Sequence, residues 1–107
     1  MSLEFRKVNI IDEEKHEKAW KAGIRAFVDI TLNDAQEVDG FKVCDHGKGL
    51  WVSFPSQRSE IGGKKVYRST WRFTKEAHNE HLREDILKKY KAVKAGELVA
   101  KEVERVF

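Results

Sequence analysis

From Ile24 to Leu32 the chain reads IRAFVDITL, with Ile24, Ala26, Val28, Ile30 and Leu32 in alternate positions and Arg25, Asp29 and Thr31 between them. A period of two predicts a strand with one buried and one polar face. The Asn33-Asp34 pair interrupts this run, and a second strand from about Val38 to Asp45 brings Phe41 and Val43 together with Lys42 opposite. Asp45–Gly49, DHGKG, carries two glycines suited to a tight hairpin loop, after which Leu50, Val52 and Phe54 resume the alternation. Pro55 has no N–H for a ladder, so it ends that strand or lies on an edge. A polar loop, PSQRSEIGG, is expected next. It leads into a further alternating run from Lys64 to Phe73, KKVYRSTWRF. There Tyr67, Trp71 and Phe73 define a face expected to be buried, and Lys64, Val66, Arg68, Thr70 and Arg72 define a cationic one. A first strand is expected around Leu3 to Ile10. The charged stretch Asp12 to Lys21 fits either a loop or one to two helical turns.

The pattern changes period after Phe73. Leu82, Ile86, Tyr90 and Val93 fall within an arc of about 80° at 3.6 residues per turn, which predicts an amphipathic helix from about Lys75 to Ala95. Thr74 is the expected N-cap and Gly96 the expected stop. Acidic Glu76, Glu80, Glu84 and Asp85 precede basic Lys88, Lys89, Lys91 and Lys94, the order a helix macrodipole favours. The expectation is an α+β fold in a single domain: an antiparallel sheet of four to five strands followed by a C-terminal amphipathic helix. Residues 97–107, ELVAKEVERVF, fit a short helical tail or a strand.

With 107 residues the chain has length for one core and not two. No run approaches the roughly 18 apolar residues of a membrane span, and MSLEFRKVNI lacks the apolar stretch of a secretory signal, so a cytoplasmic protein without membrane contact is expected. Cys44 is the single cysteine and permits no internal disulfide. Charge is uneven. Residues 1–54 hold eight Lys and Arg against ten Asp and Glu, whereas 55–107 hold thirteen against eight. Such asymmetry points toward a polyanionic partner.

The densest cationic stretch is Arg58 to Lys75, where Arg58, Lys64, Lys65, Arg68, Arg72 and Lys75 face only Glu60. Cations on alternate strand positions stand about 7 Å apart and can follow phosphates along a backbone. The competing explanation is a solvated face or an edge guarded by charge. Trp51, Tyr67, Trp71 and Phe73 either pack in the core or, where exposed, stack on unpaired bases. His78 and His81 lie at i, i+3 near Glu84 and Asp85, but the ligand set is incomplete for a metal. Cys44 and His46 can share a strand face, yet a nucleophile also needs an orienting group and an oxyanion site, which the sequence does not supply. No glycine-rich phosphate loop has the spacing of known motifs. Neither catalysis, a cofactor nor a small-molecule substrate is expected.

The block Phe27 to Ser59, FVDITLNDAQEVDGFKVCDHGKGLWVSFPSQRS, resembles the septation proteins named for stage five sporulation protein G. The matching positions are Ile30, Thr31 and Leu32, then Val43, Gly47 and Gly49, then Leu50, Val52, Pro55, Ser56 and Arg58. The similarity extends over about Ile24 to Phe73. It implies an antiparallel sheet followed by a helix and a homodimer built partly from the sheets. It also implies a small bacterial regulator that binds specific DNA sites and RNA and is linked to cell division and sporulation. Gln57 replaces the family's lysine. Lys75 to Leu82, KEAHNEHL, lacks the Ser-x-Thr-Arg-x-x-Ile-Gln stretch that opens the family's helix. Asp12 to Lys21 reads as an insertion. Resemblance and charge pattern together give the expected nucleic-acid-binding set: Arg58, Lys64, Lys65, Arg68 and Arg72, with Lys75 and Arg83 adding to the field. The alternative is a protein-interaction module of the same fold.

Overall fold

Alternating apolar positions can be buried only if a second layer covers their face, and the helical stripe supplies it. A computed structural model describes residues 2–96, so the expected tail at 97–107 lies outside the described residues. The elements are β1 (Leu3–Ile10), α1 (Glu17–Lys21), β2 (Ile24–Leu32), β3 (Gln36–Asp45), β4 (Leu50–Ser53), β5 (Ser56–Ile61), β6 (Lys64–Ser69) and α2 (Glu76–Lys94). Strands β1 to β4 form one antiparallel sheet in sequence order, and β5 and β6 form a separate two-stranded ribbon. The α+β class is as expected, but the strands divide into two sheets. The stretch read as a loop, PSQRSEIGG, contains β5.

On the core face lie Leu3, Phe5, Val8, Ala26, Val28, Ile30, Leu32, Val38, Phe41, Val43 and Val52, covered by Leu82, Ile86, Tyr90 and Val93 of α2. Three irregularities in register fit the strands to this layer. Between Val28 and Ile30 the β2–β3 ladder shifts, Val28 facing Phe41 and Ile30 facing Val38. The additional β3 residue is taken up at Asp39-Gly40, where the Gly40 N–H donates to Asp29 Oδ1 at 3.1 Å. This bulge is why Val38, at even spacing, joins odd-numbered Phe41 and Val43 on one face. At the start of β2 a second shift pairs Ile24 with Cys44 and Ala26 with Val43. Ile24 thereby leaves the core face on which the alternation placed it. A third shift in β1 falls between Phe5 and Lys7, and Arg6 turns its Nε and Nη2 onto the Ile30 carbonyl at 3.1 and 2.9 Å.

Turn chemistry sets the hairpins. Asn33 and Asp34 both take positive φ, 52° and 54°, and the Ala35 N–H donates to the Leu32 carbonyl at 3.0 Å. Gly62 and Gly63, with φ of 60° and 78°, connect β5 to β6 in the same left-handed region. Two successive positive φ values match the right-handed twist of the flanking strands. The Asp12–Lys21 stretch is a turn followed by one short helix. Asp12 Oδ1 accepts from the Glu14 and Lys15 N–H groups at 2.8 and 3.2 Å, and α1 follows.

The two sheets differ in what supports them. Phe41 is fully buried, whereas Tyr67 is 66% exposed. Phe41→Ala should lower unfolding free energy by about 3–5 kcal/mol, and Tyr67→Ala should change it by less than about 0.5 kcal/mol. Urea denaturation followed by tryptophan fluorescence measures both.

Candidate nucleic-acid interface

The ribbon pairs Gln57 with Arg68, Arg58 with Tyr67, Ser59 with Val66, Glu60 with Lys65 and Ile61 with Lys64. Residues opposite one another share a face. Arg58, Glu60, Lys65 and Tyr67 therefore occupy one side, and Gln57, Ile61, Lys64, Val66 and Arg68 the other. All residues of both strands are exposed. The expected single cationic face is thus two cationic faces on one projecting ribbon. Tyr67 does not lie on a buried face, because no layer covers the ribbon on either side. Arg72 does not extend the row of Lys64 and Arg68, since β6 ends at Ser69.

Beyond β6 the chain returns to the core. Trp71 and Phe73 are half-buried. The Trp71 ring meets Phe41, Phe54 and Phe73 at centroid distances of 5.7, 6.0 and 4.9 Å. The helix then begins without the expected Thr74 cap. Lys75 holds the N-cap position, with φ −96° and ψ 124° and no side-chain cap. Asn79 does the tying instead. Its Oδ1 accepts from the Phe73 N–H at 2.9 Å, and its Nδ2 donates to the Phe73 carbonyl at 3.1 Å and to Glu76 Oε2 at 3.2 Å. A fully buried amide satisfied in this way fixes the approach of the Trp71–Phe73 segment to α2.

Glu76 gathers two of the expected phosphate-binding arginines. Arg72 Nη2 lies 3.0 Å from Glu76 Oε2, and Arg83 Nη1 lies 2.8 Å from Glu76 Oε1 and 2.6 Å from Glu80 Oε1. The Arg83 guanidinium also rests 4.8 Å above the Phe54 ring. Hydrogen bonds from Arg83 and then Asn79 hold the Glu76 carboxyl below the usual carboxylate range, and the Arg83 and Arg72 charges add to this. Among the described residues, Arg58, Lys64, Lys65, Arg68 and Lys75 form no ion pair. The expected set therefore separates into free cations on the ribbon and at the helix start, and two arginines engaged in holding that start together.

Between the ribbon, β4 and the first turns of α2 runs an open groove of about 560 Å³, lined by Lys42, Trp51, Tyr67, Arg72 and Arg83 among others. Lys42 is absent from the expected set, and Trp51 enters the sequence reading only as an aromatic that packs in the core or, where exposed, stacks on bases. Alternation is the signal that separates these alternatives, since Trp51 lies between Leu50 and Val52 and so faces away from the core. The remaining chemical candidates have structural partners. The His78 ring meets Phe73 edge-on at 5.6 Å, and His81 Nε2 is 3.5 Å from Asp85 Oδ2. Burial pushes the Cys44 thiol up, against the smaller opposing effect of Lys42 and Arg25, which keeps it from being a reactive thiolate. Among the described residues no group of three or more His, Cys, Asp or Glu is placed to hold a metal ion. No helix among them is long and apolar enough to cross a membrane.

Because folding lowers the Glu76 pKa, its stabilising contribution is present above the unfolded pKa and is lost as pH falls through the folded one. Glu76→Gln should melt below wild type near about pH 7, and the gap should close by about pH 2. Asn79→Ala leaves the Phe73 amide and carbonyl unmet, so it should cost about 1–3 kcal/mol at both pH values. Thermal melts of the three proteins at the two pH values separate these effects.

Comparison with known proteins bears on the whole of this architecture. No curated protein and no solved structure matches the chain. The SpoVG family model matches residues 4–92, from β1 into α2. With the four-stranded sheet, the ribbon and most of the long helix inside that span, the chain belongs to the SpoVG family of septation- and sporulation-related bacterial proteins.

Proposed function

We propose that the chain is a small dimeric nucleic-acid-binding regulator of the cytoplasm, without catalytic activity, which lays its β5–β6 ribbon against phosphates. The observation that carries this reading is the ribbon itself: Arg58, Lys64, Lys65 and Arg68 project into solvent from a pair of strands with no buried residue, against the single carboxylate of Glu60. Each cation that meets a phosphate releases condensed counterions, which gives affinity tolerant of sequence and sensitive to salt. A two-stranded ribbon also has the dimensions that a DNA major groove accepts. Lys75 extends the free charge toward α2. Arg72 and Arg83 act chiefly through the helix start that they hold with Glu76.

Two-fold assembly follows the same economy. A two-stranded ribbon alone is marginal in water, and among the described residues β1 and β4 are the edges of the sheet, to which a second copy can add strands. Dimerisation doubles the number of phosphates that one particle neutralises.

A second reading rests on Ile61, which is 63% exposed, and its neighbour Val66 on the Lys64–Arg68 face. These apolar side chains favour a protein partner. Complex formation that survives nuclease and high salt, and is lost in Ile61→Ser, would support it.

The Lys64→Ala/Arg68→Ala variant should bind duplex DNA more weakly, by similar factors for unrelated sequences. Its log–log salt slope should be shallower by about 0.9 for each phosphate that the variant no longer neutralises. Fluorescence anisotropy over a salt series measures both quantities. Affinity and slope equal to wild type would remove the Lys64–Arg68 face of the ribbon from the interface.

A further inference from the structure

Among the described residues, Trp51 and Tyr67 are the aromatic side chains that the fold leaves exposed, at 45% and 66%, and both line the groove beside β4. They come from different sheets. Trp51 faces Cys44 in the β3–β4 ladder, which puts it on the outer side of the four-stranded sheet. Tyr67 faces Arg58 on the ribbon.

Trp51 has a ring partner on one side. The His46 ring meets it edge-on, with centroids 5.6 Å apart, and His46 Nε2 hydrogen-bonds the Ala22 carbonyl at 3.1 Å. His46 reaches that position because Gly23, at φ +89°, has no side chain: a Cβ there would fall 1.9 Å from His46 Cδ2. The indole is therefore held from one side while much of its surface stays open. Besides the two aromatics the groove is lined by Lys42, Ser53, Ser56 and Ser69. Lys42 has no ion pair among the described residues, and Arg58 and Lys65 continue the free charge on the Tyr67 side of the ribbon.

Resting on the nucleic-acid reading above, we infer that this groove binds an unpaired strand, with bases stacked on Trp51 and Tyr67 and phosphates met by Lys42, Arg58 and Lys65. Flat apolar rings alternating with cations and hydroxyls complement a ligand that offers a base face and a phosphate at each repeat. Bases inside a duplex are stacked on one another and offer no free face; those of a single strand do. The cations disfavour an apolar peptide in the same place.

The test uses the full chain, a labelled oligouridine of about 12 nucleotides, and a labelled RNA duplex of equal length. Wild type should bind the single strand more tightly than the duplex at equal salt, with quenching of tryptophan emission. Trp51→Leu and Tyr67→Leu should each lose about ten-fold in single-strand affinity while keeping the salt slope. Trp51→Phe, which retains a ring, should keep most of the affinity and lose the quenching. Equal binding of both ligands with indifferent variants would overturn this inference and leave the proposed function standing. No binding of either ligand, and none of duplex DNA, would overturn both. Sedimentation shifted to monomer by Trp51→Leu or Tyr67→Leu, with affinity per protomer unchanged, would assign the groove to a copy–copy interface and refute the inference.

Discussion

Leu82, Ile86, Tyr90 and Val93 cover one face of a four-stranded sheet, and the described chain has no second apolar stripe with which to cover the β5–β6 ribbon. Burial is the dominant favourable contribution to folding, so the elements inside this layer are fixed by it and the ribbon outside is not. The bulges in β1 and β3 shift strand phase so that Val8 and Val38 face the helix, whereas the one in β2 turns Ile24 away from it. The consequence for function is positional. The core ends at Phe54 and Phe73, and the fourteen residues from Ser56 to Ser69 leave and return between those points. Side chains on such an excursion are selected by solvent or by a partner.

The start of α2 decides which cations remain available to a ligand. Glu76 takes Arg72 and Arg83 together, and Asn79 binds the Phe73 backbone at the same place. A phosphate competing for either arginine must displace a charge-assisted hydrogen bond already made. A phosphate meeting Arg58, Lys64, Lys65 or Arg68 displaces only water and counterions. This contrast, and not the number of basic residues, is the ground on which the interface is proposed to lie on the ribbon.

The sequence made β1 to β4 and α2 readable because each presents one face to the core, and burial writes a period of two or 3.6 into the residues. It hid β5 for the opposite reason: SQRSEI buries nothing, so no alternation marks it as a strand. The Gly62-Gly63 pair before KKVYRS was the available sign of a two-residue hairpin. Ile24 kept the right parity but fell on the other face, since a bulge is set by register with β3 and leaves no trace within β2. Thr74 has the residue type of a cap, yet a buried asparagine five positions later does the tying, an interaction visible only once the chain has folded. Arg72 and Arg83 read as free cations because their carboxylate partner is shared between a loop and a helix. Of the expected interface, Arg58, Lys64, Lys65 and Arg68 stand as free surface cations split between two faces of the ribbon, and Lys75 stands free at the helix start.

The central claim is that an unburied cationic ribbon meets the phosphate backbone. A backbone-amide NMR titration of the wild-type chain with nucleic acid tests it most directly. Shifts concentrated between Ser56 and Ser69, extending to Lys42 and Trp51, are the predicted result. Shifts confined to β1 and α1, with the ribbon amides unmoved, would contradict it.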